Sequence, residues 1–192
     1  MDVTLGMVQQ GTAATEANAA KYADSLIAAM TRFDINAPNR VSAFLATVAI
    51  ESDHLNAVEE NLYYSNADHL AATFPGTFHS AAEAEPYTKN PKALSEKRYE
   101  GFHGRGLIQL TWKSNYQAAG DAIGADYVGN PGLLCQPEHA ALSAAWFWSS
   151  KGCNAAADDD DMDKVTEIVN GKAKLKLSER VAQYDANKTA FA

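Results

Sequence analysis

The sequence has very few cysteines. Only Cys135 and Cys153 occur among 192 residues, and no pair of histidines accompanies them in a metal-binding spacing. The pattern fits no zinc site, so we expect no metal. A reducing compartment would keep both thiols free, whereas an oxidising one would allow them to pair. The sequence leaves the disulfide open, because it does not give the distance between the two side chains.

Basic residues are also in short supply. The chain has 16 Lys and Arg against 24 Asp and Glu, which gives a formal net charge of −8 at pH 7. Proteins that bind nucleic acid usually carry a basic surface, so we expect no nucleic-acid partner. The same shortage argues against a protein that anionic membranes hold by charge alone.

Long hydrophobic runs are absent as well. No stretch approaches the ~20 apolar residues of a membrane-spanning helix, so we expect no membrane insertion. Residues 1–30 lack the basic segment followed by an apolar segment that marks a secretory signal peptide. We therefore expect a protein made in the cytoplasm, acting as a monomer, that another system must deliver to any target outside the cell membrane.

A phosphate-binding glycine loop is missing too. Gly104 and Gly106 fit the first two positions of the dinucleotide-binding pattern G-x-G-x-x-G, but Gln109 occupies the third. The sequence therefore predicts no nucleotide cofactor.

The sequence is rich in helical hydrophobic patterns. Hydrophobic residues make up 46% of the chain, which suffices for the core of one domain. The spacing predicts helices at residues 15–32, from Pro38 to Glu51, at 138–150, 162–169 and 178–189, with short ones near 67–74 and 80–85. Residues 107–112, LIQLTW, alternate like a strand. We therefore expect a mainly α fold with a small β element.

A glutamate continues the hydrophobic face of one predicted helix. Helical spacing places Val41, Phe44, Leu45 and Val48 on a single buried face. Glu51 follows Val48 by three positions, so it lies on the same face. Lost hydration and the negative end of the helix dipole both disfavour a charged carboxylate there, as a proton-donating acid requires. The alternative is a frayed last turn whose carboxylate points to solvent.

A second acidic pair, Glu59 and Glu60, follows on a loop beyond that helix. Glycoside hydrolysis uses one acid to protonate the leaving oxygen and a second as base or nucleophile, at about 6.5–9.5 Å for inversion and about 5–5.5 Å for retention. Adjacent glutamates are also common on solvated loops, so the pair alone is weak evidence for a glycoside hydrolase. In the predicted strand, Gln109 and Thr111 face the same way and suit a water or a sugar hydroxyl. A polar outer strand face is the competing interpretation.

Several of these residues fall in blocks that resemble glycoside hydrolase family 19, in its bacteriophage endolysin branch. The blocks are Glu51-Ser52, ENLYYS at 60–65, GRGLIQLT at 104–111 with Asn115-Tyr116, AAWFW at 144–148, and Asn170-Gly171. They run in the family's order between about residues 40 and 184. The resemblance implies one lysozyme-like catalytic domain over residues 1–192, two-lobed and mainly α with a small β element. It also implies an inverting mechanism, no cofactor and no separate wall-binding domain.

The resemblance implies roles for individual residues. Glu51 matches the general acid, and Thr111 matches the hydroxyl that places the attacking water. Glu60 matches the second carboxylate and is preferred to Glu59 because it directly precedes Asn61 of the ENLYYS block. Substrate-binding positions match Gln109, Asn115, Tyr64, Asn170 and Arg180.

Two features depart from the family pattern. Ile50 stands where the family usually has a histidine, which removes a hydrogen-bond partner and makes the surroundings of the acid more apolar. The segment before Gly104 is short, which would open the cleft and change which glycan fits. His103 within that segment is expected to be a surface residue near a turn, and contact with the substrate is the alternative.

The sequence therefore predicts an endolysin-type glycosidase that cuts β-1,4 bonds of the peptidoglycan glycan strand. A chitinase of the same family stays open, because the quoted blocks do not separate the two polymers. The second acid argues against a lytic transglycosylase, which works with one acid, and against an inactive glycan-binding protein. Delivery to the cell wall through a holin lesion or by a secretion machine would account for the missing signal.

Overall fold

The computed structural model describes residues 1–191 and is built mainly of α-helices. These are α1 (Leu5–Thr12), α2 (Glu16–Arg32), α3 (Pro38–Glu51), α4 (Ala67–Thr73), α5 (Ala81–Ala84), α6 (Pro91–Tyr99), α7 (Lys113–Ile123), α8 (Pro137–Ser150), α9 (Cys153–Asp158), α10 (Met162–Asn170) and α11 (Leu177–Phe191). Two 3-10 helices, Glu85–Tyr87 and Pro131–Cys135, lie between them.

The helices predicted from hydrophobic periodicity are confirmed. The five longer ones are α2, α3, α8, α10 and α11, and the two short ones are α4 and α5. The sequence pattern misses α1, α6, α7 and α9. In α6 few residues are apolar, so its periodicity is weak, and its start depends on a local cap. There the side chain of Asn90 accepts a hydrogen bond from the backbone N–H of Ala93 at 3.1 Å, and Pro91 occupies the first turn.

The strand predicted at residues 107–112 is wrong, and that segment forms a turn. Gln109 and Trp112 have φ values of 54° and 79°, in the left-handed region that a strand does not use. Gln109 and Thr111 therefore do not project from one strand face. The β structure of the described chain consists of two isolated bridges, Glu59 with Arg105 and Arg105 with Leu110.

Helix α3 is the axis of the larger lobe. Pro38 occupies its first turn, where the missing N–H costs no hydrogen bond. All nine residues from Val41 to Ala49 are buried, because α1, α9 and α11 pack around the helix. In the same core the rings of Phe44 and Trp148 meet edge to face, with centroids 5.5 Å apart. Glu51 is the last residue of this enclosed helix and emerges at the edge of the core.

A second hydrophobic cluster forms a smaller lobe. Its buried core consists of Leu62, Ala67, Leu70, Phe74, Phe78, Ala84, Leu94 and Tyr99. Val58 still packs against the core of the larger lobe, whereas Leu62 belongs to the smaller one. The segment between them, which carries Glu59 and Glu60, therefore connects the two lobes.

The acidic run at residues 158–161 joins α9 to α10, and Asp158 is the last residue of α9. Asp158 pairs with Arg40 at 2.6 Å, and Asp160 pairs with Lys188 at 3.0 Å. The side chain of Asp161 caps the start of α10. These three aspartates therefore make contacts that stabilise the fold.

The two cysteines are free, Cys153 buried and Cys135 half-buried. No helix within residues 1–191 is long and apolar enough to cross a membrane. The same residues contain no group of three His, Cys, Asp or Glu side chains arranged to hold a metal ion.

Candidate functional site

Glu51 sits at the carboxyl end of α3 with its side chain only 15% exposed. The interpretation as a frayed turn pointing to solvent is therefore wrong. Its Oε1 accepts a hydrogen bond from Nη2 of Arg180, and the two side chains form an ion pair. The guanidinium stabilises the negative charge that appears on the carboxylate when it gives up a proton.

Arg180 lies beneath Glu51 and is 2% exposed. Its Nε donates to the carbonyl of Leu175 at 3.3 Å, and its Nη1 has no hydrogen-bond partner among the described residues. Little of this side chain can reach a glycan, so direct substrate binding, as predicted for Arg180, does not fit its place. Its contact is with the candidate acid.

Glu60 is held by neutral hydrogen-bond donors. The hydroxyl of Tyr99 donates to Oε1 at 2.8 Å, and the backbone N–H of Gly104 donates to Oε2 at 3.2 Å. The backbone N–H of Glu60 in turn donates to the carbonyl of Gly104 at 2.8 Å. Burial raises the pKa of Tyr99 to about 12, so its phenol keeps its proton and remains a donor. The carboxylate of Glu60 is thus fixed in place without an ion pair.

Glu59 points to different partners from those of its neighbour. Its Oε1 accepts from Nε2 of His103 and from Nε of Arg105, both at 2.9 Å. Burial alone would raise the pKa of Glu59, but these two hydrogen bonds outweigh it and hold the pKa below its ordinary value. Because Arg105 already neutralises this acid, Glu60 is the better candidate for a base.

His103 is buried, so the prediction of a surface histidine is wrong. It is 8% exposed, and burial lowers its pKa, so the ring is neutral near pH 7. A carboxylate only accepts, so Nε2 carries the proton toward Glu59. Nδ1 then accepts from the hydroxyl of Ser95 at 2.6 Å. This chain of hydrogen bonds ties helix α6 to the side chain of Glu59. The sequence gives no sign of it, because its members are 8 and 44 positions apart.

Gln109 lies beside the Glu60 segment, across Gly104. A Cβ atom at Gly104 would come within 2.9 Å of Gln109 Oε1 and 3.5 Å of Glu60 Cβ. Only glycine permits so close an approach of the two side chains to the backbone. The Nε2 of Gln109 donates to the carbonyl of Gly106 at 3.1 Å. The amide oxygen of Gln109 and the side chain of Glu60 therefore both approach the backbone at Gly104.

Thr111 lies just before α7, and Asn115 lies in the first turn of that helix. The hydroxyl of Thr111 donates to the carbonyl of Gln109 at 2.9 Å, which leaves its oxygen lone pairs to accept from a water. The side chain of Asn115 donates to the carbonyl of Thr111 at 2.8 Å. Hydrogen bonds thus join three of the predicted residues, Gln109, Thr111 and Asn115, across the turn and the start of α7, and Gln109 approaches the Glu60 segment at Gly104.

Tyr64 and Asn170 have structural contacts of their own. The ring of Tyr64 packs against His69 and Phe74, with centroids 5.5 and 5.6 Å away. The side-chain oxygen of Asn170 accepts from the backbone N–H of Leu175 at 2.7 Å, which braces the loop leading to α11. Within residues 1–191 no hydrogen bond links either residue to Glu51 or Glu60, so their contact with substrate stays a prediction.

The arrangement offers two carboxylates on different elements, each with its own support. Glu51 ends a helix of the larger lobe and is backed by a guanidinium. Glu60 lies on the connection between the lobes and is held by a phenol and a backbone N–H. Such a pair can divide proton donation and proton acceptance across a bound glycan.

Comparison with known proteins identifies the family. The sequence pattern of glycoside hydrolase family 19, described as "Chitinase class I", matches residues 12–181. A bacterial relative, the glycosyl hydrolase family 19 domain-containing protein of Haemophilus influenzae, is 30% identical over 142 residues, covering 67% of this chain and 68% of the relative. Rice chitinase 8 (Oryza sativa subsp. japonica) is 47% identical over 60 residues, which is 31% of this chain and 23% of that protein. The chain thus matches under a quarter of the length of this plant chitinase.

The fold agrees with this assignment. A solved bacterial family 19 chitinase superimposes with a TM-score of 0.69 at 22% identity, covering 100% of this chain and 96% of that one. The likeness confirms the mainly α, lysozyme-like single domain. With its pattern matched from residue 12 to residue 181, this chain belongs to glycoside hydrolase family 19.

Proposed function

We propose that this protein hydrolyses the β-1,4 bonds of bacterial peptidoglycan by an inverting acid and base mechanism, as an endolysin does. Glu51 is the general acid and Glu60 the general base, and Thr111 accepts a hydrogen bond from the attacking water. In one step Glu51 passes its proton to the glycosidic oxygen, the C1–O bond breaks, and water attacks C1 from the opposite face while Glu60 takes the water's proton.

The contact between Glu51 and Arg180 suits the acid role in this proposal. As Glu51 loses its proton in the transition state, a negative charge grows next to the guanidinium. That charge is stabilised by a partner already in place, so no reorganisation is needed during the reaction.

The assignment of Glu60 as the base rests on the hydrogen bonds that hold its carboxylate. Its two donors are neutral, so its negative charge is not consumed by an ion pair as that of Glu59 is. Gly104 places Gln109 beside it, and Thr111 follows in the same turn with lone pairs free for a water. A base, an amide and a hydroxyl in one place fit an activated water better than a covalent intermediate.

Peptidoglycan is preferred because the sequence as a whole resembles the endolysin branch of the family and because the short segment before Gly104 would open the cleft to a different glycan, although no single block separates the two polymers. The proposed site of action is then the cell wall, reached through a holin lesion or a secretion machine. Chitin is the second candidate substrate. It is favoured by the names of the relatives, several of which are plant chitinases, such as the rice protein with 47% identity over 60 residues.

The two substrates are separated by a direct digestion. Purified peptidoglycan and chitin hexamer are incubated with the protein and with Glu51→Gln, and the products are identified by mass spectrometry. The proposal requires new reducing ends from peptidoglycan that Glu51→Gln does not produce. Cleavage of chitin alone would select the second candidate, and 1,6-anhydro products would contradict hydrolysis.

A further inference from the structure

A cavity of about 660 Å³ adjoins the segment that carries the proposed base. One wall is the stretch from Glu59 to Leu62, and the opposite wall is α6 with the turn that follows it. Pro131 and Gly132 close the remaining side. The size is typical of small-molecule sites in proteins, which span roughly 300–1,000 Å³.

The wall formed by α6 carries a row of charges. Lys92, Glu96 and Glu100 follow one another at intervals of four, so they lie on one side of the helix and its end. All three are exposed, line the cavity, and form no ion pair with any residue from 1 to 191. The carboxylate of Glu96 extends over the backbone at Gly101, where a Cβ atom would lie 3.2 Å from its Oε1.

The other polar groups of the cavity are already engaged. Glu59 binds His103 and Arg105, and Ser95 binds His103. These residues form a wall with satisfied hydrogen bonds. Apart from Glu60, the proposed base, the charges left for a ligand are therefore one ammonium group and two carboxylates, and the ring of Phe102 adds apolar surface to the lining.

We propose that this cavity binds the peptide stem of peptidoglycan, beside the glycan whose bond is cut at Glu60. The inference rests on the proposed function. A chitin chain carries only neutral acetamido and hydroxyl groups, which give no reason for unpaired charges of both signs. A stem peptide carries free carboxylates and, at its diamino acid, an ammonium group. Lys92 suits the carboxylates, and Glu96 and Glu100 suit the ammonium.

The position of Glu60 links the binding of the stem peptide to the cleavage of the glycan. Glu60 and Asn61 line the cavity, and Glu60 is also the proposed base. A sugar held against Glu60 therefore has its substituents next to the cavity. The stem would bind away from the reacting atoms, and its binding energy would help to position the scissile bond.

The test compares one glycan with and without its stems. Intact peptidoglycan and the same material stripped of stems by an N-acetylmuramoyl-L-alanine amidase are digested under equal conditions. The measured quantity is the ratio of the cleavage rates, intact over stripped. The wild-type protein should prefer intact material, and the double variant Glu96→Gln with Glu100→Gln should lower the ratio about tenfold, as expected for the loss of charge-assisted contacts.

A matched control removes two other exposed carboxylates, at Asp2 and Asp24, by Asp2→Asn with Asp24→Asn. It should keep the wild-type ratio. If the wild-type protein cuts intact and stripped strands equally, or if the double glutamine variant keeps the ratio, the stem subsite is wrong and the proposed function stands. If the wild-type protein cuts neither material, the proposed function fails and the subsite with it.

Discussion

Arg180 of α11 and Glu51 of α3 form an ion pair between residues 129 positions apart in the chain. Both side chains are withdrawn from solvent, at 2% and 15% exposure. The pair fastens the end of the central helix to the last helix at the point where the candidate acid emerges. It therefore joins the stability of the larger lobe to the chemistry of the site.

Glu51→Gln should abolish glycan cleavage and leave the fold intact. The amide has nearly the shape of the carboxyl group and keeps an oxygen that accepts from Arg180, but it has no acidic proton to give. Loss of a positioned general acid typically lowers the rate by ~10²–10⁴-fold. Turbidity of a cell-wall suspension measures the activity, and thermal unfolding measures the fold. Activity near that of the wild type would remove Glu51 from the mechanism.

Arg180→Met should lower the free energy of unfolding as well as the activity. Removing one partner of a buried ion pair leaves the other charge uncompensated, at a cost of about 3 kcal/mol. Arg40→Met is the control, because its pair with Asp158 has side chains 26% and 41% exposed. An exposed pair contributes roughly 0–1 kcal/mol. Urea denaturation of both variants gives their free energies of unfolding. Equal losses of this free energy would contradict the prediction that the Arg180 pair stabilises the fold more than the Arg40 pair does.

Glu60→Gln should be severely impaired in catalysis, and Glu59→Gln much less so. The first change removes the carboxylate that takes the proton from water, and a positioned base is typically worth ~10²–10⁴-fold. The second removes an acid already bound to Arg105 and His103. Initial rates on peptidoglycan at one pH decide the ranking. The reverse order would mean that the wrong neighbour was chosen as base.

Acid should destabilise the protein in two stages. Burial lowers the pKa of His103, so the folded protein binds fewer protons there than the unfolded chain, and stability falls as the pH drops below the ordinary value of 6.5. The pKa of Glu59 is also lowered, so its contribution is present above 4.5 and is lost as the pH falls below that value.

Unfolding midpoints measured from about pH 7 down to about pH 2 test both stages. His103→Gln should flatten the upper part of the decline, and Glu59→Gln should flatten the lower part. A His103→Gln variant with an unchanged profile would show that this histidine does not titrate as its burial requires.

The long helices and the place of Glu51 follow from the sequence, because both depend on local spacing. Four apolar positions at helical spacing predict a buried face on α3 that Glu51 continues, and the structure buries every residue of the helix from Val41 to Ala49. The partner of the acid does not follow, since Arg180 is brought to it only by the packing of α11 on α3. Long-range contacts of this kind leave no periodic signal.

The turn that contains Gln109 and Thr111 shows that an alternating sequence pattern does not by itself predict the backbone geometry. Its polar and apolar residues alternate, which is the pattern of a strand, yet the backbone at Gln109 turns left-handed with φ at 54°. Two hydrogen bonds to the carbonyl of Gly106, from the backbone N–H and the side chain of Gln109, hold this shape, and the side chain of Gln109 packs closely over Gly104. The pattern identifies the residues of the site correctly as neighbours but gives the wrong geometry for them.

The hydroxyl of Thr111, which is proposed to hold the attacking water, should be required for activity. This hydroxyl is anchored to the carbonyl of Gln109, which directs the remaining lone pairs of the oxygen. Thr111→Ser keeps this hydroxyl, so it should retain most of the activity. Thr111→Val keeps the shape but loses both the anchor and the acceptor, so it should reduce the rate strongly. Equal activity of the two variants would mean that the methyl group, and not the hydroxyl, is what the site needs.

The stereochemistry of the product tests the water that Thr111 is proposed to hold. Direct attack by water on a β-linked glycan inverts C1, so the first product is the α-anomer. A covalent intermediate on Glu60 would give the β-anomer and would need no water in the first step. NMR of the anomeric proton within the first minutes of hydrolysis, before mutarotation, distinguishes them. An initial β-anomer would reassign Glu60 as a nucleophile and leave Thr111 without a water to place.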